Sequence, residues 1–375
     1  MFNPPHCPNP DCRHFRKPQD ARWHRKISPY RTKTFGLVPR YICRHCNKSF
    51  SAQTFSIDYY AKKHIDFRYV HQQINAGAGI RSIARSLNVS PKTVTSRIRR
   101  LARNAILIHQ RFLKHLAYAE DFAADGFESF CVSQYFPDNT NILVGSQSQF
   151  VYQWDHAAIR RKGRMRKDQK ERRALLEKTF KAHPKAIENS FGTLMKFLAQ
   201  RSGKKVMPLI LFTDEKRDYE RCLWKTPLTR EQMFSGKWRH HRVNSKEPRT
   251  RQNPLFPVNY MDREIRKDMA AHARESVQFN RNVSEGMLRM SLYFFDHNYF
   301  KPYRVAKAVE KKLRHAEAAG LKRPLLDRIT QDFWTKRYFW RGREKIDESA
   351  LKTLNRLWET PMKRRPEMVC RHLAV

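Results

Sequence analysis

Two aspartates sit in short apolar runs: Asp125-Gly-Phe-Glu-Ser-Phe130 and Leu211-Phe-Thr-Asp214-Glu-Lys216. Each run reads as a strand with an acid at its end. A lone carboxylate cannot cleave a phosphodiester. Carboxylates brought together can hold divalent cations, which neutralise the phosphate and activate an attacking hydroxyl. The rest of the chain suits a polyanionic partner. Lys and Arg number 76 against 35 Asp and Glu, a formal net charge of +41. A field of that sign concentrates nucleic acid, and double-stranded DNA is the partner expected here.

The elements that must position these acids follow from length and patterning. At 375 residues, with 40% hydrophobic and 12% aromatic side chains, the chain can build two or three domains with real cores. No stretch approaches eighteen apolar residues, so no membrane span is expected. Met1-Phe-Asn-Pro-Pro-His-Cys7 lacks the basic-then-apolar pattern of a secretory signal, and a cytoplasmic setting is expected. Seven cysteines in a reducing compartment do not predict a disulfide framework. Cys131, Cys222 and Cys370 stand alone and read as simple thiols.

The other four cysteines are paired: Cys7-Pro-Asn-Pro-Asp-Cys12 and Cys43-Arg-His-Cys46. Such spacings let two thiolates from one turn reach one ion, and two turns complete a tetrahedral site. A structural Zn2+ ribbon is expected over residues 1–60, with His6, His14 and His45 as possible substitutes for a thiolate. Arg13, Arg16, Lys17, Arg44 and Lys48 would let the ribbon touch phosphates.

Residues 61–115 read as a helix-turn-helix. Ile80, Ile83, Ala84 and Leu87 make one apolar face, Asn88-Val89 the turn, Ser90 the N-cap and Pro91 the first helical residue. Val94, Ile98 and Leu101 then face inward. Lys92, Thr93, Thr95, Ser96, Arg99, Arg100 and Arg103 are left outward, as candidate contacts to bases and phosphates. A helical hairpin used only for packing is the plainer alternative.

Residues 116–305 are expected to be an α/β domain. Three strands, 129–136, 141–145 and 150–155, are separated by turn signals at Pro137-Asp-Asn-Thr-Asn141 and Gly145-Ser-Gln-Ser148. A basic run, Arg160 to Arg173, leads into a long helical stretch to about Gln200, and Val206-Met-Pro-Leu-Ile-Leu-Phe212 forms a further strand. Residues 222–258 read as irregular, 260–300 as helical and 306–375 as a basic helical region. Three strands, a helix, a strand and then helices is the order of a ribonuclease H-like core, within a multidomain α+β chain, though other α/β folds share it.

The phrases around Asp125 and Asp214, the block Tyr260-Met-Asp262-Arg263 through His272 to Phe279-Asn-Arg281, and Asn298-Tyr299-Phe-Lys-Pro302 together resemble bacterial insertion-sequence transposases of the insertion sequence one type. The upstream ribbon and helix-turn-helix occur in the same order in that family, so the resemblance spans residues 1–305. It implies a ribonuclease H-like domain in which two Asp and a third acid hold two Mg2+ ions. By motif these are Asp125, Asp214 and Asp262. The family has Glu before Arg at the third position, where this chain has Asp262-Arg263, and the spacing to Phe279 is about three residues shorter. Glu264, Asp268 and Glu285 therefore stay open as third ligands. The chemistry implied is cleavage by water followed by attack of the freed 3′-hydroxyl on target DNA, by a homo-oligomer. Arg263, Arg266, Lys267, Arg274 and Arg281 would hold phosphates beside the ions.

Two other readings remain. One is a non-enzymatic DNA-binding regulator with a degenerate nuclease fold. The other is a structure-selective nuclease such as a junction resolvase. His240, His241, His272 and His297 read as phosphate or packing contacts. Tyr293 to Phe300 reads as helix core, and the Arg160–Arg173 run as a solvated face or a DNA clamp.

Overall fold

The two cysteine turns are tied together by three antiparallel strands, β1 (His24–Thr32), β2 (Gly36–Cys43) and β3 (Ser49–Ser51). Tyr41 and Cys43 point inward from β2 and pack with Phe15, Trp23, Phe50 and Phe55 into a small core of their own. These and all later statements come from a computed structural model that describes residues 2–18, 20–202, 208–273, 276–303, 313–339 and 345–363.

Three helices follow: α1 (Phe67–Asn75), α2 (Ile80–Ser86) and α3 (Pro91–Phe112). The turn between α2 and α3 forms because Asn88 adopts the left-handed conformation, with φ of 49°. Ser90 then caps α3 by accepting the Thr93 N–H, with Pro91 at the first position. At ~1.5 Å per residue, the 22 residues of α3 extend ~33 Å. Only the first turns belong to the helix-turn-helix. From Leu101 to Gln110 every residue is buried.

The second half of α3 packs against a five-stranded sheet ordered β6-β5-β4-β7-β8. Its strands are β4 (Phe122–Phe130), β5 (Pro137–Gly145), β6 (Val151–Ala158), β7 (Leu209–Thr213) and β8 (Trp238–Arg242). β4, β5 and β6 are antiparallel, whereas β7 runs parallel to both β4 and β8. One sheet face, carrying Phe122, Ala124 and Leu143, is covered by α3, α5 (Ala186–Ala199) and α6 (Arg217–Lys225). The opposite face, with Ala123, Phe127, Ile142 and Val144, is covered by α8 (Phe256–Asp268) and α9 (Val283–Tyr299). The remaining helices are α4 (Lys167–Glu177), α7 (Pro227–Phe234), α10 (His315–Ala318), α11 (Arg323–Asp332) and α12 (Glu348–Leu354). Among the described residues none of these helices is long and apolar enough to cross a membrane.

The strands sit in a different frame from the expected one. The first runs over 122–130, not 129–136, so Asp125 lies inside β4 and not at its end. Pro137-Asp-Asn-Thr-Asn141 is not a turn but the start of β5, where proline is tolerated because the first residue need not donate to the ladder. Asn139 and Asn141 look like turn formers but are fully buried between strands. Residues 222–258 contain α7 and the edge strand β8, whose Arg and His content hid it. Val206 and Met207, at the start of the expected strand, lie outside the described residues, as does Cys370.

The single cluster joining Ile83, Val94 and Ile98 to Phe112, Phe122, Leu211, Leu288 and Phe333 crosses the expected borders near 115 and 305. Helix-turn-helix, sheet and C-terminal helices share one core.

Candidate functional site

In the parallel pair, Phe122 of β4 lies beside Leu211 of β7, and Ala123 beside Phe212. The pairing ends there, and Asp214 directly follows the last residue of β7, so the two aspartates sit on adjacent chain segments at the centre of the sheet. Their charges feel each other. Burial first, and then the Asp214 carboxylate, pushes Asp125 up to about 6.

Each acid is held by the chain next to it. Asp214 Oδ1 accepts the Lys216 N–H at 3.0 Å, a turn that leads from β7 into α6. Asp125 Oδ1 accepts the Gly126 N–H at 2.7 Å and faces the Tyr219 hydroxyl at 3.4 Å. That hydroxyl also lies 3.2 Å from Asn141 Oδ1, while Asn141 donates to Ser190 at 3.0 Å. Gly126 is dictated by packing, because a Cβ there would fall 2.3 Å from the Asn139 amide.

The four candidates for a third acid differ in their surroundings. Asp262 stands on α8, whose Met261 and Ile265 face the sheet. Its Oδ1 is buried without a hydrogen-bond partner. Burial first, and then Asp125, pushes it up to about 8. The alternatives are already engaged. Glu264 accepts from Lys267 at 2.7 Å, Asp268 accepts from Tyr293 at 3.0 Å and pairs with Lys301, and Glu285 pairs with Arg99 at 2.9 Å and Arg356 at 2.8 Å. Asp125, Asp214 and Asp262 all contribute to the field that raises the Tyr219 phenol, after burial. Among the described residues, however, the four cysteines form the only group of three or more His, Cys, Asp or Glu whose ligand atoms all lie within 4.8 Å of one another. The three carboxylates thus share one electrostatic neighbourhood without converging on a single point.

Cations ring this neighbourhood. Lys216 offsets the shift of Asp125, and Arg266 and Arg249 offset that of Asp262. Arg266 donates to the Glu128 carbonyl at 3.0 Å and lies 4.7 Å over the Phe127 ring. Of the other expected phosphate contacts, Arg263 is exposed over Tyr260, Lys267 is tied to Glu264, and Arg281 lies over Phe279. Arg274 lies outside the described residues. Lys216, Tyr219 and Arg249 had no role in the sequence reading. The i, i+3 spacing of Lys216 and Tyr219 after Asp214 was a usable signal for two of them. Nothing local marks Arg249.

The cysteine cluster is closed. Cys7 Sγ lies 3.6 Å from Cys46 Sγ, and Cys12 Sγ lies 3.8 Å from Cys43 Sγ. A thiolate tetrahedron with ~2.3 Å metal–sulfur bonds has edges of ~3.8 Å, so the group could hold a metal ion and is consistent with structural zinc. The histidines stand around the thiols: His45 Nδ1 is 3.6 Å from Cys12 Sγ, and His6 Nδ1 is 2.9 Å from the Cys7 carbonyl.

The outward face of α3 is smaller than expected. Lys92 is exposed, and Thr93, Thr95 and Ser96 are partly so. Arg103 is buried, with Nε and Nη2 unpartnered. Arg100 donates to the Ile57 and Tyr59 carbonyls and covers the Tyr59 ring at 4.2 Å. Arg99 is spent on Glu285. A helix this long, half of it in the core, turns its later arginines onto protein. His240 meets the Thr213 hydroxyl at 2.8 Å, His272 meets Ser129 at 2.9 Å, and His297 meets the Gln149 carbonyl at 2.8 Å. His241 lies edge-on to Phe212. Most of the aromatic string 293–300 is buried along α9. No residue of α4 is buried, and Arg160 pairs with Glu177 at its far end.

Comparison with known protein families found no match, and no curated protein matched the chain.

Proposed function

We propose that this chain is a DNA transposase with a ribonuclease H-like catalytic core, which binds the ends of its own element, cuts the strand and joins the freed 3′-hydroxyl to target DNA. The observation that carries this reading is that Asp125 lies in β4 and Asp214 just past the end of the adjacent parallel β7, near enough for their charges to interact, while Asp262 on α8 feels Asp125 from the helix layer. The sheet order, three antiparallel strands followed by two parallel ones, agrees with that core.

The donors suit Mg2+. They are hard carboxylate oxygens, and the Asp262 Oδ1, buried with no hydrogen-bond partner, has the unmet need that a cation would satisfy. Bound there, Mg2+ would supply neutralisation of the phosphate and an acidified attacking oxygen. The protein does the rest. Tyr219 fixes the rotamer of Asp125 through its hydroxyl. Lys216, Arg249 and Arg266 bring positive charge to the phosphate side of the acids. Lys92, Thr93 and Ser96 face double-stranded DNA, Thr95 turns into the neighbouring groove, and the zinc ribbon adds basic contacts. Joining two ends calls for more than one protomer, working in the cytoplasm on the nucleoid.

The test replaces Asp125 or Asp214 by Ala and follows Mg2+-dependent nicking of duplex DNA beside gel-shift binding. Nicking falls by about three orders of magnitude, ~4 kcal/mol of transition-state stabilisation, while binding stays within about twofold. Equal nicking by mutant and wild type discards the site. Binding with no nicking by any form leaves a zinc-bearing DNA-binding regulator. Cutting confined to branched DNA points to a junction-selective nuclease.

A further inference from the structure

A groove of about 550 Å³ separates the helix-turn-helix from the loop that joins α8 to α9. Arg81, Arg85 and Thr95 line one wall, and Val277, Phe279 and Arg281 line the other. The walls approach closely at Gly79, where a Cβ would meet the Gln278 amide at 2.7 Å. Glu285, an acid in the groove, is neutralised by Arg99 and Arg356. The lining is therefore positive and offers apolar surface as well. Val277 is 86% exposed, and Phe279 is half-buried against Phe130 at 5.5 Å.

This combination has a specific meaning. Arginines alone would serve any phosphate backbone. Apolar and aromatic side chains among them gain little from the sugar–phosphate exterior of a duplex, but they can stack on unpaired bases. The position matters too. Phe130 closes β4 five residues beyond Asp125, which at ~3.4 Å per residue is ~17 Å along the strand. Arg266 bridges the interval, donating to the Glu128 carbonyl from a guanidinium that also acts on Asp262.

We propose that this groove is a track for single-stranded DNA leading away from the three aspartates, with phosphates on Arg81, Arg85 and Arg281 and a base stacked on Phe279. The track rests on the nuclease reading for its purpose, but not for its binding.

The experiment measures fluorescence anisotropy of the full chain with a labelled oligothymidine 12-mer and with a 12-base-pair duplex, in Ca2+ and at one fixed salt concentration. Phe279→Ala weakens the single strand about tenfold, the effect of losing one stacked base, and the duplex less than twofold. Phe279→Trp preserves single-strand affinity, which separates stacking from loss of fold. Arg281→Ala weakens the single strand and lowers its salt dependence by about one ion. The proposal is overturned if Phe279→Ala leaves the single strand unaffected, or weakens strand and duplex equally while Phe279→Trp fails to restore binding. Repeating the series in Asp125→Asn protein distinguishes the two readings. Selective strand binding by a chain whose wild type never nicks would uphold the track and sink the nuclease.

Discussion

At the residue scale, Asp262 holds opposed requirements. Its carboxyl, pushed up to about 8 by burial and then Asp125, stays protonated in the folded metal-free chain long after it would ionise in the unfolded one, near pH 4. The folded state therefore holds the extra proton between about pH 4 and 8, and this group makes stability fall as pH rises through that window. Asp262→Asn is expected to raise the melting midpoint of the metal-free protein by a few degrees at pH 8 and to change little near pH 4.5, while removing Mg2+-dependent nicking. A midpoint that drops equally at both pH values would show that the side chain is simply structural. Glu264→Gln, Asp268→Asn and Glu285→Gln are expected to do the reverse. They keep nicking within about tenfold and lose stability, most for Glu285→Gln, which removes the acid shared by Arg99 and Arg356, and less for the other two, because Lys267 and Lys301 each keep the remaining acid. That Asp125 and Asp214 belong to strand-like runs was legible in the sequence. What separates Asp262 from Glu264, Asp268 and Glu285 was not, because four carboxyls within 24 residues differ only in what surrounds them, and surroundings are tertiary.

At the element scale, the turn from Asn88 to Pro91 was legible because its conformation is set by local chemistry: a left-handed Asn, a Ser cap and a proline at the first helical position. The strand frame was not. Ala123-Ala124 scarcely reads as a strand, yet small residues are what a central strand needs where helices press on both faces. Pro137, Asn139 and Asn141 carry turn chemistry that tertiary pairing overrides. The same limit applies to α3, where periodicity places a residue on a face but does not say what covers that face. Lys92→Ala should weaken duplex binding and reduce the slope of log affinity against log salt by ~1. Arg103→Met should leave binding and slope unchanged, and at most stabilise the protein, because the buried guanidinium lacks partners at two nitrogens. Equal effects from the two substitutions would contradict the buried placement of Arg103.

At the scale of the whole molecule, the helix-turn-helix and the five-stranded sheet share one core. α3 begins in the helix-turn-helix and ends among Phe122, Phe150 and Tyr299, so Lys92 and the aspartates are held on one packed unit. The three-stranded unit with the four cysteines differs. It has its own aromatic cluster and meets the rest through Phe339, Arg337 and the Ile57–Thr335 backbone bond. Chelation should therefore act locally. Hydrogen exchange after zinc removal is expected to accelerate in β1–β3 while β4 and β5 stay protected. Loss of protection throughout the five-stranded sheet would make the ribbon part of the common core.

The most direct measurement is anomalous diffraction from crystals soaked in Mn2+, which takes the same oxygen ligands as Mg2+. The account predicts a manganese peak bonded to carboxylate oxygens of both Asp125 and Asp214, with Asp262 turned toward that centre. Peaks confined to other sites, with 125 and 214 left bare under saturating Mn2+, would contradict it.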